Sequence, residues 1–209
     1  MATLVINAAI IVTQNGLLSH GRCFAAVKST HGMIKVRLNL SRPLTVEPGQ
    51  YINLWIPSAS FWAFTQAHPF VVISWEEVPQ TALDLFIQPR RGFTRNVASL
   101  ASPTGQPSSW WAVFGGPYGQ ILETYGFEKV LMVANGAGIA AQIPFLRKLI
   151  HGYHARQAFT RRVHLVWHIH DRDIGIAAET MLNEALDEDK LASGGVSCSV
   201  HVLLITDVD

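Results

Sequence analysis

Gly136 and Gly138 lie between the apolar run Lys129–Ala134 and a stretch with helical periodicity that starts at Ile139. Glycine at such a turn tolerates positive φ and lets a phosphate approach the backbone closely. The free amides and positive end of the following helix then favour an anion. The same turn also serves plain strand-to-helix packing, and the third glycine of the full dinucleotide fingerprint is absent. A second constellation is His164, Val166, His168 and His170, which alternate with Leu165, Trp167 and Ile169. On a strand the three histidines share one face, where two could hold a metal. No nearby cysteine or paired carboxylate completes a ligand set, so the residues read equally as polar positions near a strand's carboxyl end. Ligands of open α/β sheets sit beyond that end, which puts His170, Asp171 and Arg172 in place to meet a nucleotide. His68 before Pro69 caps a turn or presents its imidazole, and Arg90-Arg91 is a solvated pair or an anion clamp. Cys23 and Cys198 are far apart and form no CxxC, which indicates neither a disulfide framework nor a zinc site.

The elements that would position these residues fall into two halves. Ile34–Leu40 (IKVRLNL) alternates apolar and polar residues with the period of a half-buried strand. Runs at Gln50–Ile56, Phe70–Trp75, Leu83–Gln88 and Ala112–Phe114 follow, separated by Pro- and Gly-bearing turns, and Ser102–Ser109 reads as a surface loop. Strands at this spacing predict a small antiparallel barrel or sandwich. From Lys129 the pattern changes. The continuous run Lys129–Ala134 predicts a parallel strand covered on both faces, Ile139–Tyr153 a helix, Arg162–His170 a strand, Ile176–Ala192 a second helix and Ser199–Ile205 a third strand. That order is βαβαβ, one half of a doubly wound nucleotide-binding fold. The expected division is an N-terminal segment 1–19, a β-barrel domain 20–124 and an α/β domain 125–209.

Composition excludes several function classes. Lys and Arg total 16 against 15 Asp and Glu in 209 residues, so no strong electrostatic field draws nucleic acid or anionic membrane. With 49% hydrophobic and 15% charged residues, disorder is excluded as well. Mean hydropathy is +0.22, and six Trp and ten Phe make the apolar fraction heavily aromatic. The longest apolar candidate, Val130–Leu146, contains Asn135, Gln142 and Pro144 and falls short of the roughly 20 residues a span requires. The chain reads as soluble and intracellular, without a signal peptide.

Five segments in fixed order carry a likeness: Gly49-Gln50-Tyr51, His68-Pro69-Phe70-Val71-Val72, Gln88-Pro89-Arg90-Arg91-Gly92-Phe93-Thr94, Gly116-Pro117-Tyr118-Gly119 and Asn135-Gly136-Ala137-Gly138-Ile139. Together they resemble the flavin- and NADPH-binding region of fungal ferric-chelate reductases, whose superfamily includes NADPH oxidases and ferredoxin–NADP reductases. The resemblance implies a roughly six-stranded FAD barrel followed by a Rossmann-like sheet. It implies that His68, Pro69, Phe70 and Val71 line the flavin ring, and that Arg91, Gly92 and Thr94 hold the FAD pyrophosphate. Gly136, Ala137, Gly138 and Ile139 would form the nicotinamide-nucleotide turn, with His170 and Arg172 beside its adenosine end. The implied cofactors are FAD and NADP, with NADPH preferred and NADH still open, and the chain itself carries no haem. The implied partner is a haem-bearing membrane domain supplied elsewhere, which would place the chain on the cytoplasmic side of a membrane.

Several positions depart from the family pattern. The threonine after His-Pro-Phe is Val71, which removes a hydroxyl beside the flavin. Relatives carry Trp-x-x-Arg where this chain has Trp167-His168-Ile169-His170, and a neutral imidazole is a weaker phosphate partner than guanidinium. Relatives also have haem-ligating membrane helices before this region and a Cys-Gly-Pro segment after it, so the chain is expected to be a truncated form. Its first parallel strand should then lack one neighbour and expose an aggregation-prone edge. Two further readings stay open: an NADPH oxidase-type flavoprotein, and a non-catalytic FAD-binding remnant or regulatory module. Exposed on a surface or packed in the barrel, Phe61, Trp62 and Phe64 fit either a partner-facing patch or core.

Overall fold

In the computed structural model, residues 9–16, 21–62, 68–102, 105–190 and 197–204 are described. The alternation that marks Ile34–Leu40 becomes β2 (Met33–Leu44), with Ile34, Val36 and Leu38 buried and Arg37 and Asn39 exposed. It pairs antiparallel with β1 (Phe24–Thr30) and β5 (Gln80–Ile87), and β1 pairs with β6 (Ser108–Trp111), giving the sheet order β5-β2-β1-β6. A second antiparallel sheet, β4-β3-β7, joins Pro69–Val71, Tyr51–Trp55 and Val113–Tyr118. The two sheets wrap one core of aliphatic residues closed by Phe93 and Phe114. They meet at two seams. One is the Val72–Leu85 bridge with Ile73 N donating to Asp84 O at 2.9 Å; the other is Ala112 N donating to Cys23 O at 3.1 Å. The expected antiparallel strands are thus present around one core, but among the described residues they form two sheets and not a closed barrel. The β2–β5 register shifts between Asn39 and Leu44, next to Pro43, which has no N–H to donate.

Residues 9–14 are helical and pack against β7. The buried Asn15 side chain completes the contact: Nδ2 donates to Phe114 O at 2.7 Å, and Phe114 N donates to Oδ1 at 2.9 Å.

The second half forms a parallel sheet of β8 (Lys129–Asn135), β9 (Arg162–Ile169) and β10 (Ser197–Leu204) in the order β10-β9-β8. Crossover helices α2 (Ile139–His154) and α3 (Arg172–Lys190) pack on each other and on the face carrying Met132, Ala134, Leu165 and Trp167. Two right-handed crossovers in one direction place both helices on one face. On the other face Leu131 and Val133 are 67% and 64% exposed, and among the described residues β8 has only β9 as a strand neighbour. The run expected to be covered on both faces is thus covered on one face only among the described residues, because both crossover helices pack on the same side.

The two halves share apolar contact, because Met33, Ile73 and Phe86 of the antiparallel half belong to the core of the second. Polar clamps flank it: Lys148 Nζ meets Glu47 Oε2 at 2.7 Å and His151 meets Glu77 at 3.2 Å.

Four elements differ from the sequence reading. The weakly amphipathic FAAVKST forms β1, which owes its place to ladders on both sides. Ser108 and Ser109, read as the end of a loop, instead open strand β6, Ser108–Trp111, paired with Phe24–Val27. Phe93–Ser99 forms a short helix, α1, to which the sequence reading assigned no element. Helix α3 begins at Arg172, four residues earlier than predicted, because Asp171 Oδ1 accepts from Asp173 N at 2.9 Å and starts the turn.

Candidate functional site

The His68-Pro69-Phe70-Val71 segment enters β4, held to β3 by Leu54 N donating to His68 O at 3.1 Å. Residue alternation sends its side chains two ways. Val71 and Pro69 oppose Tyr51 and Asn53, while Phe70 turns toward the barrel core. The His68 ring stacks on Phe93, centroids 4.3 Å apart and planes 7° from parallel, and Phe70 leans on the same ring at 6.2 Å. Phe93 belongs to the Arg90–Thr94 segment. The fold therefore joins two motifs well separated in the chain through one aromatic platform that the sequence reading missed.

Burial depresses the His68 pKa, so its imidazole is held neutral. Its Nε2 is buried without a hydrogen-bond partner among the described residues, as is the Asn53 Oδ1 on the residue paired with Pro69. Unsatisfied buried polar atoms are uncommon and mark a place where a ligand or water completes the bonding. Beside them, Arg91 and Gly92 are exposed, and Gly92 has φ +72° with nothing within 4 Å of where a Cβ would stand. Thr94 Oγ1 accepts from Arg90 N at 2.8 Å, which fixes the loop and leaves its hydroxyl proton available. An open depression there is lined by Pro89, Arg90, Arg91 and Arg95. Arg95, in the first turn of α1, adds a third guanidinium, a cation the sequence reading did not select.

At the second centre, Asn135 ends β8 in extended conformation, Gly136 turns with φ +51°, and Gly136–Gly138 form one 3₁₀ turn before α2. Only Gly136 uses the conformational freedom of glycine. Gly138 is right-handed, at φ −62°, and exposed, with open space where a Cβ would stand. Ala137 is half-buried, and Ile139 is wholly buried, so Ile139 can offer a ligand only its backbone. The buried Trp167 donates from Nε1 to Gly136 O at 2.9 Å and pins the turn. A buried indole N–H needs a partner, and that requirement was the signal available for Trp167. At the carboxyl end of β9, His170 and Arg172 are exposed, and the His170 ring lies 4.2 Å from that of His168. No group of three or more metal-ligating side chains occurs among the described residues. Phe61 and Trp62 are 62% and 72% exposed, the surface alternative of the sequence reading, and Phe64 lies outside the described residues.

No hydrogen bond or ring contact joins the glycine turn to the His68–Phe93 platform among the described residues. What the fold supplies is two separate receptors: an apolar and aromatic wall with neutral polar handles and a cationic end, and a strand-to-helix turn open to an anion. The first fits an isoalloxazine dinucleotide, whose ring needs an apolar wall and whose diphosphate needs cations.

Sequence comparison decides the family. The model of an FAD-binding domain matches residues 20–122, and that of the ferric reductase NAD binding domain matches residues 127–206. The chain belongs to the ferric reductase family. Among this family's curated members, it is 31% identical over 141 residues to the probable cell surface ferric reductase kap2 of Aspergillus oryzae, covering 63% of this chain and 18% of that protein. It is 30% identical over 148 residues to ferric reductase transmembrane component 5 of Saccharomyces cerevisiae, covering 68% of this chain and 20% of that one. The chain thus spans about a fifth of these relatives' length. Its fold resembles the ferredoxin reductase in carbazole 1,9a-dioxygenase, with TM-score 0.64 and 16% identity over 90% of this chain and 51% of that one. It also resembles ferredoxin-NADP+ reductase from Plasmodium falciparum, with TM-score 0.61 and 13% identity over 87% of this chain and 70% of that one. Family membership assigns the two halves to FAD and to a nicotinamide nucleotide.

Proposed function

We propose that this chain is the flavin- and nucleotide-binding part of a reductase that carries electrons from NAD(P)H toward haem and ferric iron. The observation that carries this reading is the His68–Phe93 stack, which ties the ring-binding segment to the arginine loop. In this reading residues 20–124 bind FAD and residues 125–209 bind the nicotinamide nucleotide. Pro69, Phe70 and Val71 wall the flavin ring, and the neutral His68 and Asn53 offer it hydrogen bonds. Arg91 neutralises the diphosphate, Gly92 lets it approach, and Thr94 donates its hydroxyl. Gly136, Ala137, Gly138 and Ile139 present their backbone to the nicotinamide nucleotide. When bound, the flavin supplies the conversion from two-electron hydride chemistry to single electrons that ferric iron requires.

His170 and Arg172 are the residues proposed to meet the adenosine end. A guanidinium at Arg172 favours the 2′-phosphate of NADPH, and an imidazole at His170 makes that preference weaker than an arginine at its position would. The named relatives include transmembrane components, and we place the chain beside such a membrane domain on its cytoplasmic side.

The test begins with FAD titration of the purified chain, followed by flavin absorbance and fluorescence. Tight binding in the wild type and at least tenfold weaker binding in Arg91→Ala support the reading. Ferricyanide reduction by NADPH and NADH then reads the nucleotide step. A protein that ignores added FAD ends the proposal, and FAD retention without turnover favours a binding module over an enzyme.

A further inference from the structure

A cavity of about 300 Å³ lies between the outer face of the β1–β2–β5 sheet and helices α2 and α3, away from both receptors described above. Its apolar walls include Ile73, Ile143 and Met181, and its volume is at the small end of ligand pockets. Four cations line it against two carboxylates. Each carboxylate already has a cation: Asp84 with Arg37 at 3.7 Å and Glu184 with Arg147 at 3.6 Å. The remaining two cations are Lys28 and Lys35, which stand directly opposite each other across the β1–β2 ladder. Like charges in that relation repel, and neither lysine forms a salt bridge among the described residues. Burial lowers the Lys35 pKa, with the Glu184 and Asp84 charges opposing that shift and the Lys28 charge adding to it. A like-charged pair beside a desolvated apolar hollow is arranged for an anion that brings its own apolar body.

We propose that this cavity is a binding site for a small amphipathic carboxylate, its head between Lys28 and Lys35 and its body against Ile73, Ile143 and Met181. A nucleotide is the wrong shape, since no aromatic ring lines the hollow for a base to stack on and a dinucleotide exceeds its volume. A metal cation is opposed by the excess of positive charge. The ligand bridges the antiparallel sheet and α2, the helix that begins at the glycine turn, so its binding braces one half of the molecule on the other.

The test uses octanoate and its neutral analogue 1-octanol with the full chain, read by calorimetry and by methyl NMR. Octanoate should bind one per chain, at least tenfold tighter than octanol, and shift the methyl signals of Ile73, Ile143 and Met181. Lys28→Gln combined with Lys35→Gln should weaken octanoate at least tenfold and leave octanol unchanged. Equal binding of the two compounds, no octanoate binding, or shifts at Leu131 and Val133 instead would each overturn the site. Should the double variant not fold, the octanoate-to-octanol ratio and the methyl map in the wild type still decide. Bound FAD is monitored throughout, so loss of the carboxylate site and loss of flavin binding remain separate outcomes.

Discussion

The imidazole of His68 lies parallel to the ring of Phe93, 4.3 Å between centroids, and burial holds it in the neutral form. Because the folded pKa is depressed, the unfolded chain binds a proton more readily than the folded one. The stability this group contributes is therefore fully present above its ordinary value of about 6.5 and is lost as pH falls toward the folded value. Thermal unfolding measured between pH 7.5 and 5.5 should show a smaller acid-induced drop in His68→Gln than in the wild type. Equal drops would remove His68 from the pH response.

Gly136 and Gly138 should separate in mutagenesis, since one needs its backbone angle and the other only open space. Gly136→Ala places a side chain at φ +51° and should cost about 1–2 kcal/mol of stability. Gly138→Ala meets nothing within 4 Å in a right-handed position and should gain up to about 1 kcal/mol from helix propensity. It should nonetheless weaken NAD(P)H binding about tenfold, about 1.4 kcal/mol, because the added methyl stands where a phosphate approaches. Denaturant unfolding and nucleotide titration of both variants check this, and unchanged affinity in Gly138→Ala would count against the turn as a phosphate site.

Lys148 and Glu47 clamp the two halves at 2.7 Å with side chains only 14% and 27% exposed, and Lys148 also lies 5.4 Å from the Tyr125 ring centroid. Glu47→Gln removes a charge-assisted hydrogen bond and should cost about 1.5–3 kcal/mol. A double-mutant cycle with Lys148→Met, followed by urea unfolding, isolates the pair; additive losses would show that the clamp carries no coupling.

Gly152 faces Tyr125 so closely that an added Cβ would stand 2.6 Å from ring atom Cε1. Gly152→Ala should destabilise the fold by about 1–3 kcal/mol through overpacking, outweighing a helix-propensity gain of about 1 kcal/mol. Tyr125→Leu in the same chain should recover part of the loss. Additivity of the two changes, measured by unfolding midpoints, would contradict the clash.

Amino-acid order alone determined the elements whose burial is periodic. The alternation in Ile34–Leu40 is the direct imprint of a one-sided strand, the apolar run Lys129–Ala134 marked a strand of which only Met132 and Ala134 are buried, and Leu182, Ala185 and Leu186 mark the buried face of α3. The ordered motifs, from His68-Pro69-Phe70 to Gly136-Ala137-Gly138, also named the family, since those residue types answer to the chemistry of two nucleotides. Tertiary structure decided what depends on partners distant in sequence. FAAVKST is a strand only because β2 and β6 supply its hydrogen bonds, and Ser108–Trp111 only because β1 does. Phe93 becomes a platform when His68 lands on it, Trp167 a clamp when Gly136 offers its carbonyl, and Lys28 and Lys35 a pair when the ladder sets them face to face. Local patterns record which side of an element is dry; which group waits on that side is fixed only when long-range packing brings the halves together.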